Sequence, residues 1–92
     1  MAARPADLTA VRSGVFRTLR YPDEARRRRL QGRVELEFVL LADGRVRELG
    51  VRSSSGHGIL DGAAVSAIES AAPFDPPGMD VVVVLPVSFR GD

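Results

Sequence analysis

The sequence predicts an α+β fold: two layers, a three-stranded antiparallel or mixed sheet in the order 2-1-3, helices on one face, and elements in the order α-α-β-β-α-β. Three observations predict it. Apolar residues recur at helical spacing from Leu8 and again from Leu60, the period falls to two from Val34 and from Val81, and Asp43-Gly44 separates two extended runs where a hairpin would turn.

Leu8, Val11, Val15, Phe16 and Leu19 fall on one helical face, so residues 8–19 read as an amphipathic helix. Asp7 is its expected N-cap, because a carboxylate there accepts from the free amides of the first turn. Gly14 costs this helix about 1 kcal/mol relative to alanine, which makes the helix dependent on docking. Tyr21-Pro22 restarts the pattern: proline suits the first helical position, Asp23 and Glu24 the positive helix start, and Arg26 to Arg29 the negative end. A short second helix over 22–30 follows, stopped by Gly32, burying only Tyr21, Ala25 and Leu30, with Glu24 paired to Arg28.

From Val34, the residues Val34, Leu36, Phe38 and Leu40 alternate with Glu35 and Glu37, the signature of a half-buried strand. Asp43-Gly44 suits a two-residue type I′ turn with Ala42 opposite Arg45. That register places Phe38 opposite Leu49, Leu36 opposite Val51 and Glu35 opposite Arg52, and leaves Val46 off the inner face unless a bulge intervenes. Ser53 to Gly58 is a turn-rich loop. The third helix runs from Leu60 through Ala63, Ala64, Ala67, Ile68 and Ala71 and ends near Ala72-Pro73, where proline disfavours helix in the residue before it.

Val81 to Phe89 is the last strand. A helical crossover from the second strand makes it parallel to that strand, so the first strand is central and the last lies on an edge. Pro86 agrees with this, since its missing amide is harmless only when it faces outward. Val82, Val84, Pro86 and Ser88 then present their backbones to the open edge, while Val81, Val83, Leu85, Val87 and Phe89 bond to the first strand and pack beneath the helices with Leu36, Phe38, Leu49 and Val51. Such an edge is either a template for another strand or an ordinary margin blunted by Pro86.

Composition narrows the function. Within 92 residues, 45% apolar against 27% charged is a globular balance, enough for one domain with a thin core and little room for a deep cavity. The expected division is a disordered arm over 1–7 and a domain over 8–90. All 13 basic residues are arginine, yet 12 acidic residues leave a net charge of +1, so global charge marks neither a nucleic-acid nor a membrane binder. Without cysteine there is no disulfide, thiolate metal site or cysteine nucleophile. No apolar run approaches the roughly 20 residues that span a bilayer.

The residues in sequence resemble a known family. Tyr21-Pro22 with Ala25-Arg26, Gly32-Arg33-Val34 with alternation to Val39, Asp43-Gly44-Arg45-Val46, Ser54-Ser55-Gly56, Leu60-Asp61 with Ala63-Ala64, and Leu85-Pro86-Val87-Ser88-Phe89 resemble the C-terminal domain of the TonB family in order and spacing. The resemblance implies a periplasmic domain anchored to the inner membrane of a Gram-negative cell through a segment outside this chain. It implies coupling of an inner-membrane proton-driven motor to outer-membrane receptors that import scarce nutrients such as iron chelates. The receptor's TonB box would add a strand beside the last strand, at Val82, Val84, Pro86 and Ser88. Some members carry a large aromatic near the end of the last helix, where this chain has Ala71-Ala72-Pro73-Phe74, and Phe74 is expected to fill that place in the core.

No catalytic residue, metal ligand or cofactor site is expected. His57, Ser53 to Ser55 and Asp61 offer the residue types of a hydrolytic triad, but they crowd into a loop and a helix start, where serine and aspartate serve as turn and capping groups. Ser55-Gly56-His57-Gly58 lacks phosphate-loop spacing. Arg26, Arg27, Arg28 and Arg29 form either a solvated face or a second surface for an acidic protein or peptidoglycan-associated partner. Nucleic acid is disfavoured because no aromatic residue interleaves with them. The competing readings are a strand-capturing energy transducer, a structural adaptor of another envelope-spanning machine, and an arginine-dependent nucleic-acid binder. A monomer is expected, with an edge-strand homodimer as the alternative.

Overall fold

In the computed structural model, residues 8–90 are described; the expected arm over 1–7 and the Asp7 cap lie outside the described residues. Strand β1 (Gly32–Leu40) runs between β2 (Val46–Ser53) and β3 (Val81–Phe89), in the order β2-β1-β3. Both pairings are antiparallel, so β2 and β3 run parallel to one another on either side of β1, as the crossover requires. The crossover is helix α3 (Gly58–Ala71), preceded in the chain by α1 (Leu8–Thr18) and the short α2 (Asp23–Arg27).

Alternation places Val34, Leu36, Phe38 and Leu40 of β1 beside Val83, Leu85, Val87 and Phe89 of β3 on one buried face. Leu60, Ala64, Ala67 and Ile68 of α3 cover it, and the small alanines let the helix lie close to the sheet. Phe74 stacks on Phe38 with ring centroids 6.4 Å apart, so it fills the core as expected. Each such side chain contributes about 1.5–3 kcal/mol on burial, and together they are the main stabilising term of a domain this small.

Helix α1 docks on a different stripe from the one its periodicity suggests. Val11 and Val15 are buried, but Leu8 and Phe16 are exposed, Phe16 to 54%. The docked stripe is Val11, Gly14, Val15 and Thr18. A Cβ on Gly14 would lie 3.5 Å from the Phe74 ring, and the Thr18 hydroxyl donates to the Ala67 carbonyl at 2.8 Å. Because α1 packs on α3 and not on the sheet, only a narrow strip is covered and Phe16 falls outside it.

Helix α2 is shorter than expected and ends by a different device. Arg29, at φ 57°, takes the left-handed position; its amide donates to Arg26 and that of Leu30 donates to Ala25, which satisfies the last carbonyls. Gly32 is instead the first residue of β1, where a Cβ would sit 2.7 Å from the Ser55 carbonyl oxygen. The Tyr21 hydroxyl donates to the Leu30 carbonyl and its ring meets Phe89 edge-on at 5.6 Å. Among the described residues no ion pair joins Glu24 to Arg28.

The β1–β2 turn is a three-residue loop, not the two-residue turn expected. The Leu41 amide donates to Arg45, the Gly44 amide donates to Leu41, and Gly44 alone in the loop has positive φ, at 92°. Packing also demands the glycine, since a Cβ on Gly44 would fall 2.0 Å from the Phe74 carbonyl oxygen. The connector over 72–80 holds this tip: Phe74 donates to Gly44, Gly78 donates to Ala42, and the Ala42 amide donates to the Asp80 carboxylate at 2.8 Å.

The extra loop residue shifts the register beside the turn to Leu40 opposite Val46 and Val39 opposite Arg47. A bulge restores the expected pairs Leu36 with Val51 and Glu37 with Gly50. Two residues, Glu48 and Leu49, therefore face Phe38 in place of Leu49 alone, and Glu48 adopts φ 55°. A second irregularity pairs Glu35 with Ser53 and turns Arg52 toward Glu37, 3.7 Å away, which replaces the expected Glu35–Arg52 pair. Val51 keeps its register but is 42% exposed, unlike the inner-face residues of β3, which the helices cover.

Candidate partner-binding edge

Strand β3 is regular along its whole length. Nine consecutive pairs, from Gly32 with Phe89 to Leu40 with Val81, hold one register without a shift. Proline cannot donate, so the Glu35–Pro86 pair is of the non-bonded kind. Antiparallel alternation then directs Val81, Val83, Leu85, Val87 and Phe89 to β1, and turns the backbone groups of Val82, Val84, Pro86 and Ser88 away from it.

The side chains of those outward residues lie on the sheet face opposite the helices. Val82 is 68% exposed and Val84 37%, Ser88 is exposed and Pro86 half-buried. Val39, half-buried, stands opposite Val82 and enlarges the apolar patch; Glu37 stands opposite Val84, Glu35 opposite Pro86, and Arg33 opposite Ser88. Sequence reasoning missed Val39, although its odd position between Phe38 and Leu40 already placed it on the open face.

Arg26, Arg27, Arg28 and Arg29 are all exposed, and among the described residues none has an ion-pair partner. The Arg26 guanidinium lies 5.6 Å from the Tyr21 ring centroid, and Tyr21 rests on Phe89. Arg26 is thereby linked through Tyr21 to the last residue of β3, with exposed Arg90 just beyond it in the chain.

The residue types of the supposed triad meet in another arrangement. The Ser54 and Ser55 hydroxyls and the Ser55 amide all donate to the Asp61 carboxylate, which closes the loop between β2 and α3. Partial burial pushes Asp61 upward, but the serine bonds, helped by nearby His57, outweigh it and hold this carboxyl below its ordinary value. A serine that donates to aspartate is not activated by histidine, so the cluster organises a turn. Among the described residues no group of His, Cys, Asp or Glu could hold a metal ion, and no helix is long and apolar enough to cross a membrane.

Known proteins share this fold. Residues 17–90 match the family model for the Gram-negative bacterial TonB protein C-terminal region. The TonB protein of Pasteurella multocida is 39% identical over 84 residues, covering 89% of this chain and 33% of its own, so the chain spans about a third of that relative. A solution structure of the Helicobacter pylori TonB C-terminal domain superimposes with a TM-score of 0.85 at 32% identity, over 92% of this chain and 80% of that one. The TolAIII domain, solved with a peptide from the N-terminus of TolB, superimposes with a TM-score of 0.66 at 18% identity, over 92% of this chain and 78% of its own, a likeness of fold.

Proposed function

Since this chain belongs to the family of Gram-negative bacterial TonB C-terminal domains, we propose that it is a periplasmic, non-catalytic module that captures an extended segment of a partner by strand addition to β3. The partner is an outer-membrane receptor and the segment its TonB box. An inner-membrane anchor outside this chain connects the module to a proton-driven motor, so that a pull on the captured strand drives nutrient import. Residues 8–90 are the folded unit, a monomer until a partner strand arrives.

The observation that carries this reading is the uninterrupted β3 edge. Outward backbone groups at Val82, Val84 and Ser88 recognise a strand without demanding much of its sequence, and at roughly 0.5–1.5 kcal/mol per net hydrogen bond a few such bonds make a releasable joint. Pro86 removes one donor, so the grip is weakest there. The arginines at 26–29 supply a second, electrostatic contact.

An amide-resolved NMR titration with a TonB-box-like peptide and a scrambled control tests the proposal. Shifts concentrated at Val82, Val84 and Ser88, absent with the scramble, are the expected result. A last strand silent at millimolar peptide would turn the reading toward an adaptor that holds another envelope component through a different face.

A further inference from the structure

The start of β2 and the end of α3 enclose a cleft of about 680 Å³ on the helix side of the sheet. Val46, Leu49, Ala72 and Pro73 give it apolar walls, and Glu48 and Glu69 bring two carboxylates to it. The bulge in β2 makes this lining. Strict alternation sends only one of two successive strand residues to a given face, yet with Glu48 at φ 55° both Glu48 and Leu49 reach the cleft. A left-handed residue that is not glycine is strained, and strain of this kind gathers where a side chain has to be aimed at something.

Among the described residues neither carboxylate takes part in an ion pair. Helix α3 has no basic residue in its last turn, so Glu69 stands at the negative end of a 14-residue helix, where a cation is favoured and a carboxylate is not. Arg45, on the rim, is held by Asp43 at 2.7 Å, and Arg47, opposite Val39, lies on the other face of the sheet. The cleft thus joins apolar walls to a negative potential, which is what the stem and the head of a basic side chain need together. Glu48, Glu69 and Pro73 are exposed and Val46, Leu49 and Ala72 half-buried, so the cleft is open. It would leave a small free cation largely in water, whereas a residue carried on a chain brings its neighbours to cover the rest.

We propose that this cleft is a separate docking site for an arginine of a protein partner, with its aliphatic stem on Val46, Leu49 and Pro73 and its guanidinium received by Glu48 and Glu69. The site lies at β2, two strand spacings or about 10 Å across the sheet from β3, and on the face opposite the side chains of Val82 and Val84. It stands whether or not β3 accepts a strand, and the two can be filled at once.

An acetylated and amidated pentapeptide, Gly-Leu-Arg-Leu-Gly, tests this against the whole chain by amide-resolved NMR, beside the same peptide with citrulline, which keeps the shape of arginine without its charge. Shifts should concentrate at Val46, Glu48, Leu49, Glu69 and Ala72, and the arginine peptide should bind about fivefold more tightly than the citrulline one at about 20 mM salt. That preference should fall to about twofold or less at about 0.5 M salt, and equally in a Glu48→Gln/Glu69→Gln variant, which keeps the size of both side chains. Equal binding of the two peptides, a preference that survives the double substitution, or silence of those amides at about 10 mM peptide would overturn the inference. Shifts confined to Val82 and Val84 would overturn it too, while leaving strand addition standing. Agmatine, the free cation of an arginine stem, should bind at least about fivefold more weakly than the peptide, and equal affinity would overturn the assignment to a protein partner in favour of a small organic cation. Concentration-dependent shifts at the same amides without peptide would overturn it in favour of a second copy of this chain.

Discussion

The two edges of the sheet are built from the same backbone and meet opposite treatment. Strand β2 breaks register twice, carries Glu48 in the left-handed region, and places Arg47, Glu48 and Arg52 on exposed positions. Strand β3 keeps one register through nine pairs and exposes two valines. Bulges and charges are the ordinary means by which a sheet margin refuses another strand, and β3 has neither along its central run. One margin is irregular and charged and the other regular and apolar, and the proposed docking at β3 rests on that difference.

Proline substitution along β3 sharpens this contrast most. Val83→Pro removes a donor that faces β1 inside the core and should cost about 3 kcal/mol or more, a large share of the roughly 5–10 kcal/mol expected for a domain of this size. Val84→Pro, one residue on, removes an outward donor, so urea denaturation should register less than about 1 kcal/mol while peptide affinity falls about tenfold or more. Wild-type affinity in Val84→Pro would show that β3 is not the docking margin.

The closed edge depends on the hairpin tip, and Gly44→Ala attacks it. The new methyl would occupy the space of the Phe74 carbonyl oxygen at a positive φ, so the tip must leave the connector at a cost of about 2–4 kcal/mol. Hydrogen exchange should quicken at Leu41, Gly44 and along β2 before it quickens in β3. A uniform rise across both edges would mean that the tip does not set the β2 register.

Asp61 fastens the far end of β2, and its effect is smaller and depends on pH. Its folded-state pKa lies below the unfolded value of about 3.8, so its contribution is complete above that value and is lost as pH falls through the folded value. Asp61→Ala should cost about 1 kcal/mol at neutral pH through the lost serine bonds. The difference from wild type should narrow on acidification below pH about 4, and an unchanged gap at pH about 2.5 would assign the effect to packing instead.

Why the sequence shows one edge better than the other is a matter of range. Alternation from Val81 to Phe89 and the single proline state the bounds of β3, its inner face and its marginal position, because each follows from the chain's own period. The turn at Asp43-Gly44 does not, since its tip is held by Phe74 and Gly78 of a connector some thirty residues later. With the three-residue loop go the shifted pairs at Leu40 and Val39 and the bulge at Glu48, while Arg52 is displaced by a separate irregularity at Glu35. The face of α1 was hidden for a related reason: Gly14 joins its docked stripe only because Phe74 and Ala71 come close to it. The run of arginines was legible, but the link of Arg26 through Tyr21 to Phe89 was not, because it joins residues far apart in the chain.

The smallest predicted effect bears most directly on how β2 is kept closed. Glu48 holds φ 55° without the freedom of glycine, a conformation that costs a residue with a Cβ about 1–2 kcal/mol, partly offset by glycine's larger loss of backbone entropy. Glu48→Gly should therefore stabilise the domain by about 0.5–1 kcal/mol, keep the bulge and leave peptide binding at β3 unchanged. Urea denaturation reads the first effect and the peptide titration the last. Sedimentation adds a third reading, because a bulge held by register should keep the variant monomeric once the glutamate's charge is gone. Dimers of Glu48→Gly joined through β2 would instead assign the closure of that margin to charge rather than to backbone geometry.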